Sequence, residues 1–128
     1  MTTELAPFTR GTSFARTSVL SEGYNEASFT GGVKFTLRTT IPASTVLDDT
    51  GAVAQATEAD GLTFDGDGTA EDLCVVTIRF PASATKLWPM AKLVWDLKGT
   101  ILGVGDDDDE VFQLGSGTLL VLGDVGRS

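Results

Sequence analysis

Histidine is absent from the 128 residues. That removes the Ser-His-Asp arrangement and the usual catalytic zinc sites. There is a single cysteine, Cys74, so no intrachain disulfide can form. No histidine can hold its thiol as a nucleophilic thiolate. Cys74 lies in the apolar run Leu73-Cys74-Val75-Val76 and reads as a small core residue. No apolar run is long enough to cross a bilayer as a helix. The opening Met1-Thr2-Thr3-Glu4 lacks a basic region followed by an apolar stretch, so it does not read as a secretory signal.

Basic residues are scarce as well. Nine Lys and Arg face eighteen Asp and Glu, for a net charge of -9. Duplex binding needs clustered cations that displace counterions, and anionic membranes need the same. The few cations here are scattered along the chain, so neither partner is expected. Gly-x-Gly stretches occur without a following helix, so no phosphate-cradling loop is present. Carboxylate pairs are plentiful, but they sit in Gly- and Asp-rich turns open to water, where nothing would perturb their pKa values. The chain is therefore not expected to be an enzyme, and no catalytic or cofactor-binding residue is assigned.

What remains is 41% hydrophobic, enough for one globular domain across residues 1–128. Helical periodicity is nearly absent. Short alternating runs separated by Gly, Asp, Thr and Ser clusters predict strands and turns. Strands are expected at Phe14 to Leu20, Val33 to Arg38, Gly61 to Phe64, Leu73 to Phe80, Leu93 to Leu97, Val111 to Leu114 and Thr118 to Leu122. In the second of these, Val33, Phe35 and Leu37 would face the core, with Lys34, Thr36 and Arg38 outward. In the fifth, Leu93, Trp95 and Leu97 point inward, and Lys92, Asp96 and Lys98 point to solvent.

Asp65-Gly66-Asp67-Gly68 reads as a turn, because Asp-Gly pairs favour positive φ. Gly115-Ser116-Gly117 reads as the link between the last two strands. Pro81 ends its strand, and one helical turn is expected between Ala82 and Leu87. Thr39 to Ala59 is a long connection, a poorly ordered loop or one that carries a short edge strand, and it is expected to order only on assembly. About seven strands with at most one short helical turn fit an antiparallel immunoglobulin-like β-sandwich. Residues 1–12 and 123–128 read as extended tails, able to reach neighbouring subunits.

The acidic run Asp106-Asp107-Asp108-Asp109-Glu110 is a solvated loop at the tip of a hairpin. Asp106, Asp108, Asp65 and Asp67 are weak candidates for calcium ligands; their spacing does not match the helix-loop-helix calcium pattern. Phe8, Tyr24, Phe29 and Trp88 lie outside the clearest strands. Partial burial under a loop is the simpler reading for each. Among them Trp88, stiffened by Pro89, is the best candidate to anchor a protein interface.

The order of these segments resembles a known group. Arg10-Gly11-Thr12-Ser13-Phe14 resembles an "Arg-Gly-Asp-Thr-Phe" opening. Phe29 to Arg38 resembles a "Leu-Thr-Gly" turn and its following strand. Phe80-Pro81-Ala82-Ser83-Ala84-Thr85 to Val94-Trp95-Asp96-Leu97 resembles a helical turn and a "Trp-Asp-Leu" strand. Phe112 to Arg127 resembles a final hairpin ending "Asp-Val-Thr-Arg". Together these resemble phage virion proteins with an immunoglobulin-like domain, similar to the N-terminal domain of baseplate upper proteins.

The resemblance implies a non-enzymatic structural subunit of a phage tail or baseplate, made in the host cytoplasm and located in the virion. Its partners would be other virion proteins and further copies of itself. Arg10, Phe14 and Arg127 join Trp88 as interface candidates. Thr12 stands where Asp is common, Gly126 where Thr is common, and the acidic insertion precedes the last hairpin. No downstream fibre or receptor-binding region is expected, which would favour an adaptor or decorating role. The alternatives are a head-decorating or head-fibre protein, and a carbohydrate-binding module for host attachment.

Overall fold

The computed structural model describes residues 3–4, 7–39, 52–105 and 108–123. Among the described residues, nine strands form two packed sheets. β3 (Phe14–Val19), β4 (Gly32–Arg38), β6 (Leu62–Asp65), β7 (Val75–Phe80) and β8 (Lys92–Ile101) follow the alternating runs of the sequence. β5 (Ala52–Thr57) lies inside the expected long connection, as an edge strand formed in the single chain. Residues 40–51 of that connection lie outside the described residues. One helical turn, α1 (Ala82–Thr85), follows Pro81 as expected, and a short 3-10 turn spans Glu26–Ser28.

The larger sheet runs β5, β4, β8, β9 (Glu110–Leu122), with β1 (Thr3–Glu4) and β2 (Phe8–Thr9) both on the outer edge of β9. The smaller sheet runs β3, β7, β6. β3, β7 and β6 occupy the B, E and D positions of an immunoglobulin sandwich, and β4, β8 and β9 the C, F and G positions. The fold is thus all-β and immunoglobulin-like. β1 and β2 add to β9 in parallel, the exception in an otherwise antiparallel arrangement.

The described residues of the N-terminal segment, 3–4 and 7–12, are therefore not a free tail. Phe8 pairs with Val121 and is only 4% exposed. Arg10 Nη1 donates to the Trp88 carbonyl at 3.0 Å. The buried Thr85 hydroxyl donates to the Thr12 carbonyl at 2.7 Å and accepts from the Gly11 N–H at 3.0 Å. This segment is stapled to α1 and the loop after it. Of the C-terminal tail, only Gly123 is among the described residues.

The sequence predicts two strands at the C-terminus, and the molecule has one. β9 is continuous from Glu110 to Leu122, and β8 extends to Ile101 to pair with it. Gly115 pairs with Leu97 and Gly117 with Trp95, both in extended backbone. Neither glycine makes a turn. A Cβ on Gly115 would sit 3.2 Å from the Trp95 ring, so the missing side chain makes room for the indole. The pattern breaks at this point because of a bulge. Register shifts between Leu97 and Lys98, Gln113 pairs next after Gly115, and Leu114 is the extra residue. Buried positions are odd-numbered beyond the bulge (Leu119, Val121), whereas Phe112 packs on the core before it.

Between the sheets, two aromatic clusters fill opposite ends. Phe14 touches Phe8, Phe35, Phe80 and Trp88 at centroid distances of 5.1 to 6.4 Å. At the other end Tyr24 stacks on Phe29 at 5.7 Å, with Phe112 against both. Trp95 is a core anchor as expected, stacked on Phe35 at 5.9 Å. Cys74 is fully buried.

The outward residues of the central strands depart from expectation. Thr36, Arg38, Asp96 and Lys98 are all buried, the first two at 2% exposure. Alternation identifies the core face of a strand but does not make its other face wet. Thr36 lies opposite Asp96 and Gln55, between Lys34 and Arg38 along its own strand. Arg38 forms an ion pair with Asp96 across this face.

Candidate interaction surfaces

Trp88, the expected interface anchor, is 2% exposed and packs against Phe8, Phe14 and Phe80. Phe14 is 1% exposed at the centre of the same cluster. Both are core residues. The reason is the stapled N-terminal segment: β2 lays Phe8 over a site that a free tail would leave open. Arg10 is half-buried and holds the loop of Trp88, a structural task. Arg127 lies outside the described residues. The seven Phe, two Trp and one Tyr of the chain are all buried or half-buried.

Asp65 is the last residue of β6, Asp67 lies in the loop that follows, and Asp108 in the β8–β9 connection; all three are exposed. Asp106 lies outside the described residues. Asp67 spends its carboxylate locally: Oδ1 accepts the Thr69 N–H at 3.0 Å. Hydrogen bonds from Thr69 hold its pKa below the ordinary carboxylate value. Gly66 and Gly68 have φ of 112° and 90°, as the Asp-Gly pairs predict. A Cβ on Gly66 would strike the Leu73 carbonyl at 2.3 Å. Among the described residues, no three His, Cys, Asp or Glu side chains form a group that could hold a metal. Asp109 caps its own loop, accepting the Gly103 N–H at 2.8 Å.

Burial pushes the Cys74 thiol above its ordinary pKa. The backbone N–H groups near it compensate only in part. A buried thiol held in its neutral form is a packing group and a poor nucleophile.

The remaining surface features are the sheet edges. β5 ends one sheet, while β3 and β6 flank the other, so each has one side without a strand partner among the described residues. β5 reads Ala52-Val53-Ala54-Gln55-Ala56-Thr57, with neither a charge nor a proline. Edge strands are usually guarded by charges, prolines or strong twist. Beside β5 lies a cleft of about 410 Å³, lined by Val53, Ala54, Phe80 and Leu87 and also by the charged Asp60 and Arg79. Leu87 is 79% exposed at its rim. The sequence signal for β5 is faint because three of its six residues are alanine, which favours strands little.

No protein-family model matches the chain. No curated protein matches it either. Among solved structures it is similar to AggA, the major subunit of aggregative adherence fimbriae type I from Escherichia coli. The identity is 13%, over 91% of this chain and 90% of that one, with a TM-score of 0.36. That is a loose likeness, too distant to transfer a role.

Proposed function

We propose that this chain is a non-catalytic structural subunit of a bacteriophage particle, placed in the tail or baseplate and acting through protein–protein contacts. The observation that carries the reading is the β5 edge strand, without charge or proline, beside a cleft of mixed apolar and polar lining. An edge strand of a sheet can accept a strand from a neighbour, and the Val53, Ala54, Phe80 and Leu87 part of the cleft can take that neighbour's apolar side chains. The phage setting comes from the sequence resemblance in the Arg10 to Phe14, Phe29 to Arg38 and Trp95-Asp96-Leu97 segments. A stapled N-terminus and two aromatic clusters suit a part that must stay folded through many weak, repeated contacts. A carbohydrate-binding role would need exposed aromatic rings for stacking on sugars, and every ring in the chain is at least half-buried.

The test is immunogold electron microscopy of particles from cells that carry this gene, with antibody raised against the purified chain. Gold on the tail or baseplate is the expected result. Gold on the head would move the protein to the head-decorating class. Particles without gold, checked by peptide mass spectrometry of the same preparation, would refute a virion role.

A further inference from the structure

The outward face of the β3–β7–β6 sheet carries mostly small side chains and little net charge. Its middle row is Thr17, Thr77 and Thr63, in register across all three strands. At one end of that row stand Ala15 and Arg79, paired on β3 and β7, with Gly61 beside Arg79 through a 2.8 Å hydrogen bond. At the other end stand Val19, Val75 and Asp65, again in register. Val19 is 57% exposed, and Arg79 and Asp65 are exposed. The face therefore carries one positive and one negative charge, on a chain whose net charge is -9. Neither is in an ion pair among the described residues.

We propose that this face docks on the same face of a second copy. Turning one copy by a half-rotation about the threonine row stacks β7 on β7 in the opposite direction. Threonine then meets threonine, Val19 covers the partner's Ala15, and Val75 covers the stem of the partner's Arg79. Asp65 is carried over the partner's Gly61, one strand spacing of about 4.8 Å from the partner's Arg79. Sheets packed face to face lie about 10 Å apart, a gap that an arginine and an aspartate bridge from opposite sides. The two-fold makes the contact twice, so each copy gives one Arg79 and one Asp65 to the pair. Elsewhere an acidic surface repels its own copies; on this face the charges are self-complementary.

This deepens the assembly reading and rests on it, yet it is tested on the isolated full-length chain. Sedimentation equilibrium should give twice the 13.4 kDa protomer mass at high concentration. Arg79→Glu and Asp65→Arg should each weaken the dimer by about tenfold or more, since each sets like charges opposite one another. The double variant Arg79→Glu with Asp65→Arg should restore it. Thermal unfolding of every variant checks that the fold is retained, and both side chains are exposed. A chain that stays monomeric at millimolar concentration overturns the proposal, as does a dimer indifferent to both single changes. Gold-labelled particles together with a monomer in solution would remove this interface and leave the virion role standing.

Discussion

Gly99 offers a direct test of how the aromatic clusters set glycine positions in this sandwich. A Cβ at Gly99 would lie 2.5 Å from Phe29 Cδ1, 2.7 Å from Cε1 and 2.9 Å from Cγ. Ordinary carbon contacts are about 3.5–4.0 Å, so the ring would have to retreat by about 1 Å. It has nowhere to go, because Tyr24 stacks on it at 5.7 Å and Phe112 sits against it at 6.3 Å. Overpacking of this kind costs about 1–3 kcal/mol. Alanine in a strand otherwise gains about 0.5–1 kcal/mol over glycine, so a net loss of about 1–2 kcal/mol is expected for Gly99→Ala. Phe29→Ala alone should cost about 3–5 kcal/mol by leaving a cavity. In that background the added methyl meets open space, and Gly99→Ala should turn neutral or stabilising. The coupling between the two is then about 2 kcal/mol. Urea unfolding followed by the fluorescence of the buried Trp88 and Trp95 measures all four corners of the cycle. Additive effects, within about 0.5 kcal/mol, would refute the claim that Gly99 exists to seat the Phe29 ring.

Asp96→Ala should cost about 3 kcal/mol, because it leaves the buried Arg38 without its carboxylate, whereas Arg38→Met with Asp96→Leu should come close to wild type; the same urea titration separates them. Cys74 should be inert to a thiol reagent in the native protein at neutral pH and react fully once unfolded. Because its folded pKa is raised, the unfolded chain releases that proton first as pH climbs, so stability falls above the unfolded thiol value of about 8.5; Cys74→Ala should flatten that loss, and an unchanged alkaline limb would count against it.

Much of the sandwich was legible in the chain itself. Val33, Phe35 and Leu37 on β4, and Leu93, Trp95 and Leu97 on β8, alternate with polar residues at the period of an extended backbone, and all six face the core. Pro81 and the Asp-Gly pairs at 65–68 end or turn the backbone by local chemistry alone, which is why they behave as read. The charge balance and the lack of histidine are properties of composition, independent of any fold.

Other features depend on what lies across a sheet or between sheets, and no local pattern carries that. Gly115-Ser116-Gly117 has the composition of a turn, yet its glycines sit in the middle of β9 because of the Trp95 ring and its cross-strand partner. The parity change at Leu114 has the look of a strand end until the bulge opposite Leu97 and Lys98 absorbs it. Trp88 and Phe14 stand near prolines and termini in sequence, but β2 on the far edge of β9 brings Phe8 down over them. Arg38 and Asp96 lie 58 residues apart and find one another only because β4 and β8 pair. Backbone conformation is decided mainly by neighbours in the chain; burial, glycine placement and the partners of charged groups are decided by neighbours in space.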